Sequence, residues 1–278
     1  MEAGEGVVVA LNGQALPTQV DVKRRHADGS VRHAVLSAVL PASANASRVD
    51  LELRQANTMP TPGTGLDAVV ALSGGFDVVL EVVEAGQTYR ASAADLIRAQ
   101  ATRWLDGAIA TELRVRGPLK NATAAHPVFE ALFDVRFFSP TSARVVVVFE
   151  NALAKPERGE RTASFRILDQ SGAVLFNQAN VYVPQHARFR KVFDWGASRT
   201  KSISIAGRLP YLVGTGVAPR YDTTKTLEPQ AITEIEAYAA TGLNEIFGNG
   251  IITSYMPTTG GRGDIGVLPH WTAVALYT

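Results

Sequence analysis

The chain has 278 residues, with 27 Lys and Arg against 26 Asp and Glu, and 46% of it is apolar. That length suffices for more than one packed core, and that apolar content excludes a disordered chain. Near-neutral charge excludes the broad basic footprint of a nucleic-acid binder, the lack of cysteine excludes disulfides and thiolate chemistry, and no apolar run approaches the ~18 residues of a membrane span.

The N-terminal Met-Glu-Ala-Gly-Glu-Gly is acidic and carries no apolar segment, so no signal peptide is visible. Residues 7–11 then meet Asn12-Gly13, a strong hairpin turn. Residues 18–25 and 31–40 flank a second hairpin turn. With Asp28-Gly29 as its two central residues, Arg25 lies opposite Arg32 and Val22 opposite Val35, and Val20, Val22, Val35 and Val39 share a face. The 31–40 strand is also apolar through Ala34, Leu36, Ala38 and Leu40, which predicts a central strand covered on both sides. A strand over 48–54 and a loop over 55–65 follow. Residues 76–84 and 88–91 form strands around Ala85-Gly86. The segment 92–102 is predicted helical, with Ser92 as cap and Asp95 in the first turn.

Strands are expected at 111–116, 129–138, 143–150, 163–168, 174–183 and 188–195. Their spacing, with turn signals between, suits an antiparallel β-sandwich. Residues 210–226 are rich in Pro, Gly and Thr and read as an extended linker. A helix is expected over 228–240, with Pro229 in its first turn. A glycine-rich stretch leads to an apolar, helix-like run from Trp271. That run stops within about two turns, so the chain reads as the front part of a larger protein or as a module without its catalytic partner. The expected division is a β-barrel over 1–105, a β-sandwich over 106–209, and a linker, helix and arm over 210–278.

Three groups of side chains suggest chemistry. His26, Asp28 and His33 surround one hairpin and supply metal-ligand types, but Asp28 is an ordinary turn residue and His33 lies on a valine-lined face, so no metal is assigned. Phe189, Phe193 and Trp195 alternate with Arg188, Arg190 and Asp194. Rings that stack on sugars beside arginines that pair with carboxylates suit a glycan site, and Trp195, Arg188 and Arg190 are the candidate ligand residues. Period-two aromatics more commonly form a core. Finally, Tyr255, Arg262, Asp264 and His270 fall within sixteen residues among glycines. They supply the base, clamp and acid of proton abstraction beside a uronate, or else they satisfy the backbone of a structured linker. No phosphate loop, dinucleotide fingerprint, nucleophile elbow or His-Glu-x-x-His is present, and no cofactor is implied.

The run Val-Asp-Val-Lys-Arg-Arg-His-Ala-Asp-Gly-Ser-Val-Arg-His-Ala-Val-Leu-Ser (20–37) resembles the N-terminal barrel of exo-rhamnogalacturonan-lyase-like proteins. Residues 133–138, 146–151, 189–196 and 209–216 are similar to later pieces of that group, and similar chains occur among phage tail-associated proteins. The resemblance implies a swapped-hairpin β-barrel, a β-sandwich, and then an (α/α) toroid that holds the active site. This chain would hold the first two units and only the beginning of the third.

Two functions follow. One is a structural or glycan-contacting β-module, a phage tail or virion component in a virion or extracellular setting, not catalytic by itself. Such a module would meet further subunits through its C-terminal arm and a polysaccharide through its surface. The other is the N-terminal portion of a polysaccharide lyase or glycoside hydrolase acting on uronic-acid polymers, with Tyr255, Arg262, Asp264 and His270 at its site.

Overall fold

A computed structural model describes residues 6–41, 49–57, 68–152, 157, 159–196, 209–241, 245–248, 268 and 270–277. The chain is mainly β and forms two compact units, Met1–Arg199 and Thr200–Thr278.

The first unit opens with β1 (Gly6–Leu11) and β2 (Gln14–Ala15), joined by Asn12 and Gly13 at φ +50° and +83°. Two positive φ values in succession are what a tight hairpin turn of this hand requires. Later in the chain, β5 (Leu51–Ala56) pairs antiparallel with β1, and the three form a sheet in the order β2-β1-β5.

β3 (Thr18–Arg25) and β4 (Val31–Ala38) pair with each other. Here the register differs from the sequence expectation. His26 N donates to Ser30 O at 2.8 Å, enclosing a three-residue turn in which Gly29 takes φ +84°. The pairs of residues 18–22 move by one, so that Val22 faces Ala34, Val20 faces Leu36 and Asp21 faces Val35, while an irregularity leaves Arg24 opposite His33. Among the described residues β4 is also not central: it pairs only with β3, and Val35 and Leu36 are both half-buried. The buried strand of this hairpin is β3, whose Gln19, Val20 and Asp21 are covered.

The cover comes from side-chain hydrogen bonds to a later loop. Gln19 Oε1 accepts from the backbone N–H of Ile109 and Ala110, both at 2.9 Å. Its Nε2 donates to Ala110 O at 2.8 Å and to Asp21 Oδ2 at 2.7 Å. Asp21 Oδ1 accepts from Asp106 N at 2.8 Å. Gly107 makes room for this contact, because a Cβ there would stand 2.3 Å from Gln19 Cδ.

The rest of the unit is one antiparallel sheet. Its strands are β6 (Val78–Glu84), β7 (Gln87–Ser92), β8 (Thr102–Asp106), β9 (Thr111–Lys120), β10 (Ala125–Ser139), β11 (Ser142–Asn151), β12 (Arg161–Asp169), β13 (Val174–Val183) and β14 (Ala187–Gly196). The order is β13-β12-β6-β7-β9-β10-β11-β14, with β8 beside β9. The sheet is continuous across residue 105, since β6 and β7 pair with β12 and β9. It curls until its ends nearly meet: the Phe176 ring of β13 lies 6.2 Å from Phe189 of β14, and Lys191 Nζ is 4.5 Å from the Phe176 ring centre.

Alternating apolar residues fill the interior. Phe129, Phe133, Phe137, Phe149 and Phe165 are fully covered, with Leu80, Val82, Val145 and Val147 between them. The rings meet edge-on, Phe149 at 4.8 Å from both Phe129 and Phe165.

Two small helices attach to this unit, α1 (Ala68–Ser73) and α2 (Ala93–Ala99). α2 starts as the sequence indicated: Ser92 Oγ accepts from Asp95 N at 3.1 Å. It packs on β9 where Gly117 has no side chain, since a Cβ there would lie 2.6 Å from Leu96 Cδ2. β9 therefore runs through Gly117-Pro118, where a turn was expected, and Pro118 sits at a shift in the ladder with β10.

In the second unit, α3 (Leu209–Gly214) occupies the start of what composition suggested was extended linker. α4 (Pro229–Ala239) begins with proline at its first position, as expected. α5 (His270–Tyr277) closes the described chain, and Tyr277 donates to Asp222 O at 2.9 Å.

Candidate functional site

Among the residues expected to carry chemistry, Tyr255, Arg262 and Asp264 lie outside the described residues, and His270 is the first residue of α5. Trp195, Arg188 and Arg190 all belong to β14, on opposite faces. Trp195 is 9% exposed, packs edge-on at 5.2 Å against Phe76, and donates from Nε1 to Gln170 Oε1 at 3.2 Å. Arg188 and Arg190 project to the other side, so the indole and the guanidiniums do not share a site. His26 and His33 are exposed, and Asp28 accepts from the N–H and Oγ of Ser30. Those two hydrogen bonds, the hydroxyl's first, hold its carboxyl below the ordinary range. Among the described residues no group of three His, Asp or Glu is placed to hold a metal ion.

The concentration of charge lies on the outer wall of the large sheet. Glu81 of β6 faces Arg90 of β7 on one side and Arg166 of β12 on the other, in direct register. Its side chain is fully buried between them. Arg90 Nε donates at 2.6 Å to one oxygen, and Arg166 Nε at 2.6 Å to the other. Glu150 of β11 is likewise held by two arginines: it is 1% exposed, and is ion-paired with Arg188, its register partner in β14, and at 2.7 Å with Arg116 of β9. Around it, Arg114 forks onto both oxygens of Asp134 at 2.6 and 3.0 Å, and Arg136 reaches Glu112 at 2.5 Å. All but one of these pairs link neighbouring strands, the sheet counterpart of helical charge pairing, and Arg116 reaches Glu150 across β10.

The third cluster is the one in which acid–base residue types meet. Glu84 ends β6, His126 lies at the start of β10 and Arg161 opens β12. His126 Nε2 is 2.9 Å from Glu84 Oε2, and Arg161 Nη1 donates to Glu84 Oε1 at 3.0 Å. The imidazole stacks at 3.9 Å on Phe129 and meets Tyr89 edge-on. Its Nδ1 accepts from the backbone N–H of Phe129 at 2.8 Å and of Val128 at 3.2 Å. Those two donors assign the proton to Nε2, which donates to Glu84. Burial pushes the His126 pKa below its ordinary value, against the pull of Glu84. Burial alone would raise the Glu84 pKa, but the hydrogen bonds from His126 and Arg161 outweigh it and bring it down. The result is a neutral imidazole and an ionised carboxylate, with both ring nitrogens engaged. Such a pair orients backbone and closes a sheet corner; it has no free nitrogen to take a proton from a substrate.

This cluster is invisible in the linear sequence. Glu84 and His126 are 42 residues apart, and Glu84 and Arg161 77 apart. Only the ladder order β12-β6-β7-β9-β10 brings them together. No protein-family model, curated protein or solved structure matches the chain.

Proposed function

We propose that this chain is a structural, glycan-contacting β-module of a virion or other extracellular assembly, and that it performs no chemistry by itself. The observation that carries this reading is how the buried ionisable groups are used. Glu81, Glu84 and Glu150 are each bound by cationic or imidazole side chains from other strands of the same sheet. Their charge ties strand to strand, and none is left poised for proton transfer. The stretch 20–37 adds the direction of the proposal, through its resemblance to lyase-like barrels and tail-associated proteins. The glycan contact falls on the outer wall, where the side chains of Arg114, Arg136 and Arg144 are 60%, 42% and 48% exposed. The exposed guanidinium edges left beyond their pairs with Asp134, Glu112 and Asp194 suit the carboxylates of an acidic polysaccharide.

Affinity electrophoresis in gels containing polygalacturonate, with neutral dextran as control, tests the contact. An ultraviolet assay for unsaturated products tests the chemistry. Retardation by polygalacturonate alone, with no absorbance change, is the expected result. Product formation would overturn the structural reading in favour of the lyase, and equal mobility in both gels would remove the glycan from it.

A further inference from the structure

The sheet β2-β1-β5 ends, among the described residues, at β5. This strand reads Leu-Glu-Leu-Arg-Gln-Ala: it contains no proline or lysine, and its two charges, Glu52 and Arg54, are of opposite sign. Its residues 51–55 are all exposed, Leu51 by 49% and Leu53 by 67%. The register places Leu53 beside Val9 and Leu51 beside Leu11, so both leucines extend the apolar face of β1 outward into solvent. Glu52 and Arg54 occupy the opposite face. They pair with each other along the strand at 2.7 Å, and their side chains are 53% and 48% exposed.

We propose that β5 is a self-complementary edge, at which a second copy of this chain adds its own β5 antiparallel about a two-fold axis through Leu53. The sequence of the strand selects this register. With the axis on Leu53, Leu53 meets its own copy, Glu52 lies opposite the copy's Arg54, and Arg54 opposite the copy's Glu52. An axis on Glu52 or on Arg54 sets like charges face to face, and an axis between Leu53 and Arg54 sets leucine against guanidinium. Opposite charges directly across an antiparallel pair attract, and like charges there repel. The chosen register exchanges the two intrastrand Glu52–Arg54 contacts, one in each copy, for two symmetric interstrand ones. It also lines four leucines along one face of a six-stranded sheet, β2-β1-β5 continued by its copy. Main-chain hydrogen bonds supply the affinity and the alternating side chains the specificity, and the contact is isologous, so it closes at two copies.

Sedimentation velocity of the full chain, across a wide concentration range, reads the outcome. The wild type should show a reversible monomer–dimer equilibrium. Glu52→Arg sets two arginines opposite two arginines, and Arg54→Glu sets two carboxylates opposite two carboxylates. Each variant alone should dimerise at least about tenfold more weakly. Mixing the two variants restores every opposite pair, so the mixture should recover a dimer of wild-type strength. Circular dichroism of each variant confirms that the fold is kept, and recovery on mixing cannot arise from two misfolded chains. A wild type that stays monomeric throughout overturns the proposal, and leaves the edge to a strand from a different protein. Dimerisation unchanged in both variants also overturns it, since the contact would then lie elsewhere.

Discussion

Gln19→Leu keeps roughly the volume of a side chain that is 1% exposed and removes all four of its hydrogen bonds. The N–H and C=O of Ala110, the N–H of Ile109 and one oxygen of Asp21 lose their partner. A buried polar group left unsatisfied costs about 1–3 kcal/mol. Ala110 is buried and Ile109 half-buried, so the two Ala110 groups set most of the loss. Counting the others at the low end gives about 5 kcal/mol. The leucine offsets about 1–2 kcal/mol of that by its own burial. A net loss of about 3 kcal/mol is expected, a large fraction of the stability of an ordinary domain. Urea titration should show a lower midpoint, and native-state hydrogen exchange should accelerate at the amides of Asp106, Ile109 and Ala110 before the rest of the large sheet. Gln19→Glu should do no better, because it sets a second carboxylate about 2.7 Å from Asp21 Oδ2. A loss below about 1 kcal/mol, with exchange at these three amides unchanged, would refute the claim that this one amide anchors β3.

Phe149→Ala should cost about 3–5 kcal/mol in urea titration, because the ring is fully buried and touches Phe129, Phe165 and Phe189; a loss under about 1 kcal/mol would mean the barrel interior collapses freely around it. Stability should also fall on the acid side in two stages. His126, lowered by burial, stays neutral in the fold while the unfolded chain takes up a proton as pH drops through 6.5, so stability declines from there down to the folded value. Glu84, also lowered, contributes stability that is present above 4.5 and lost as pH falls through its folded value. His126→Asn should remove the upper stage; a wild-type urea midpoint that is flat between about pH 7 and pH 5 would contradict the assignment.

Legibility in the sequence followed range of interaction. The turn Asn12-Gly13, the cap Ser92, the first-turn Pro229 and the apolar alternation of 129–137 are local signals, and each appears where expected. The 27–29 turn was also local, yet one residue in its length decided the faces of two strands, because period-two geometry magnifies a single-residue error into a complete inversion. Apolar residues on both sides of 31–38 suggested a central strand; the competing fact, that Gln19 and Asp21 bond to residues 106–110, lies about ninety positions away. The aromatic alternation of 189–195 allowed both core and glycan readings, and Trp195 is held in the core by Phe76, more than a hundred residues earlier. The Glu84–His126–Arg161 cluster had no sequence signal, since its members share no spacing before the sheet forms.

The strand order has a consequence for synthesis. β6 lies between β7 and β12, and Glu81 meets Arg166 85 residues further along the chain. At about 5–20 residues per second, the ribosome delivers β12 roughly 4–17 seconds after β6 has emerged. During that interval Val78, Leu80 and Val82 can be covered on one flank by β7 but wait for β12 on the other. The nascent chain therefore carries an open, apolar strand edge through much of its translation, and its yield in the cell depends on how well that edge is shielded until Arg166 arrives.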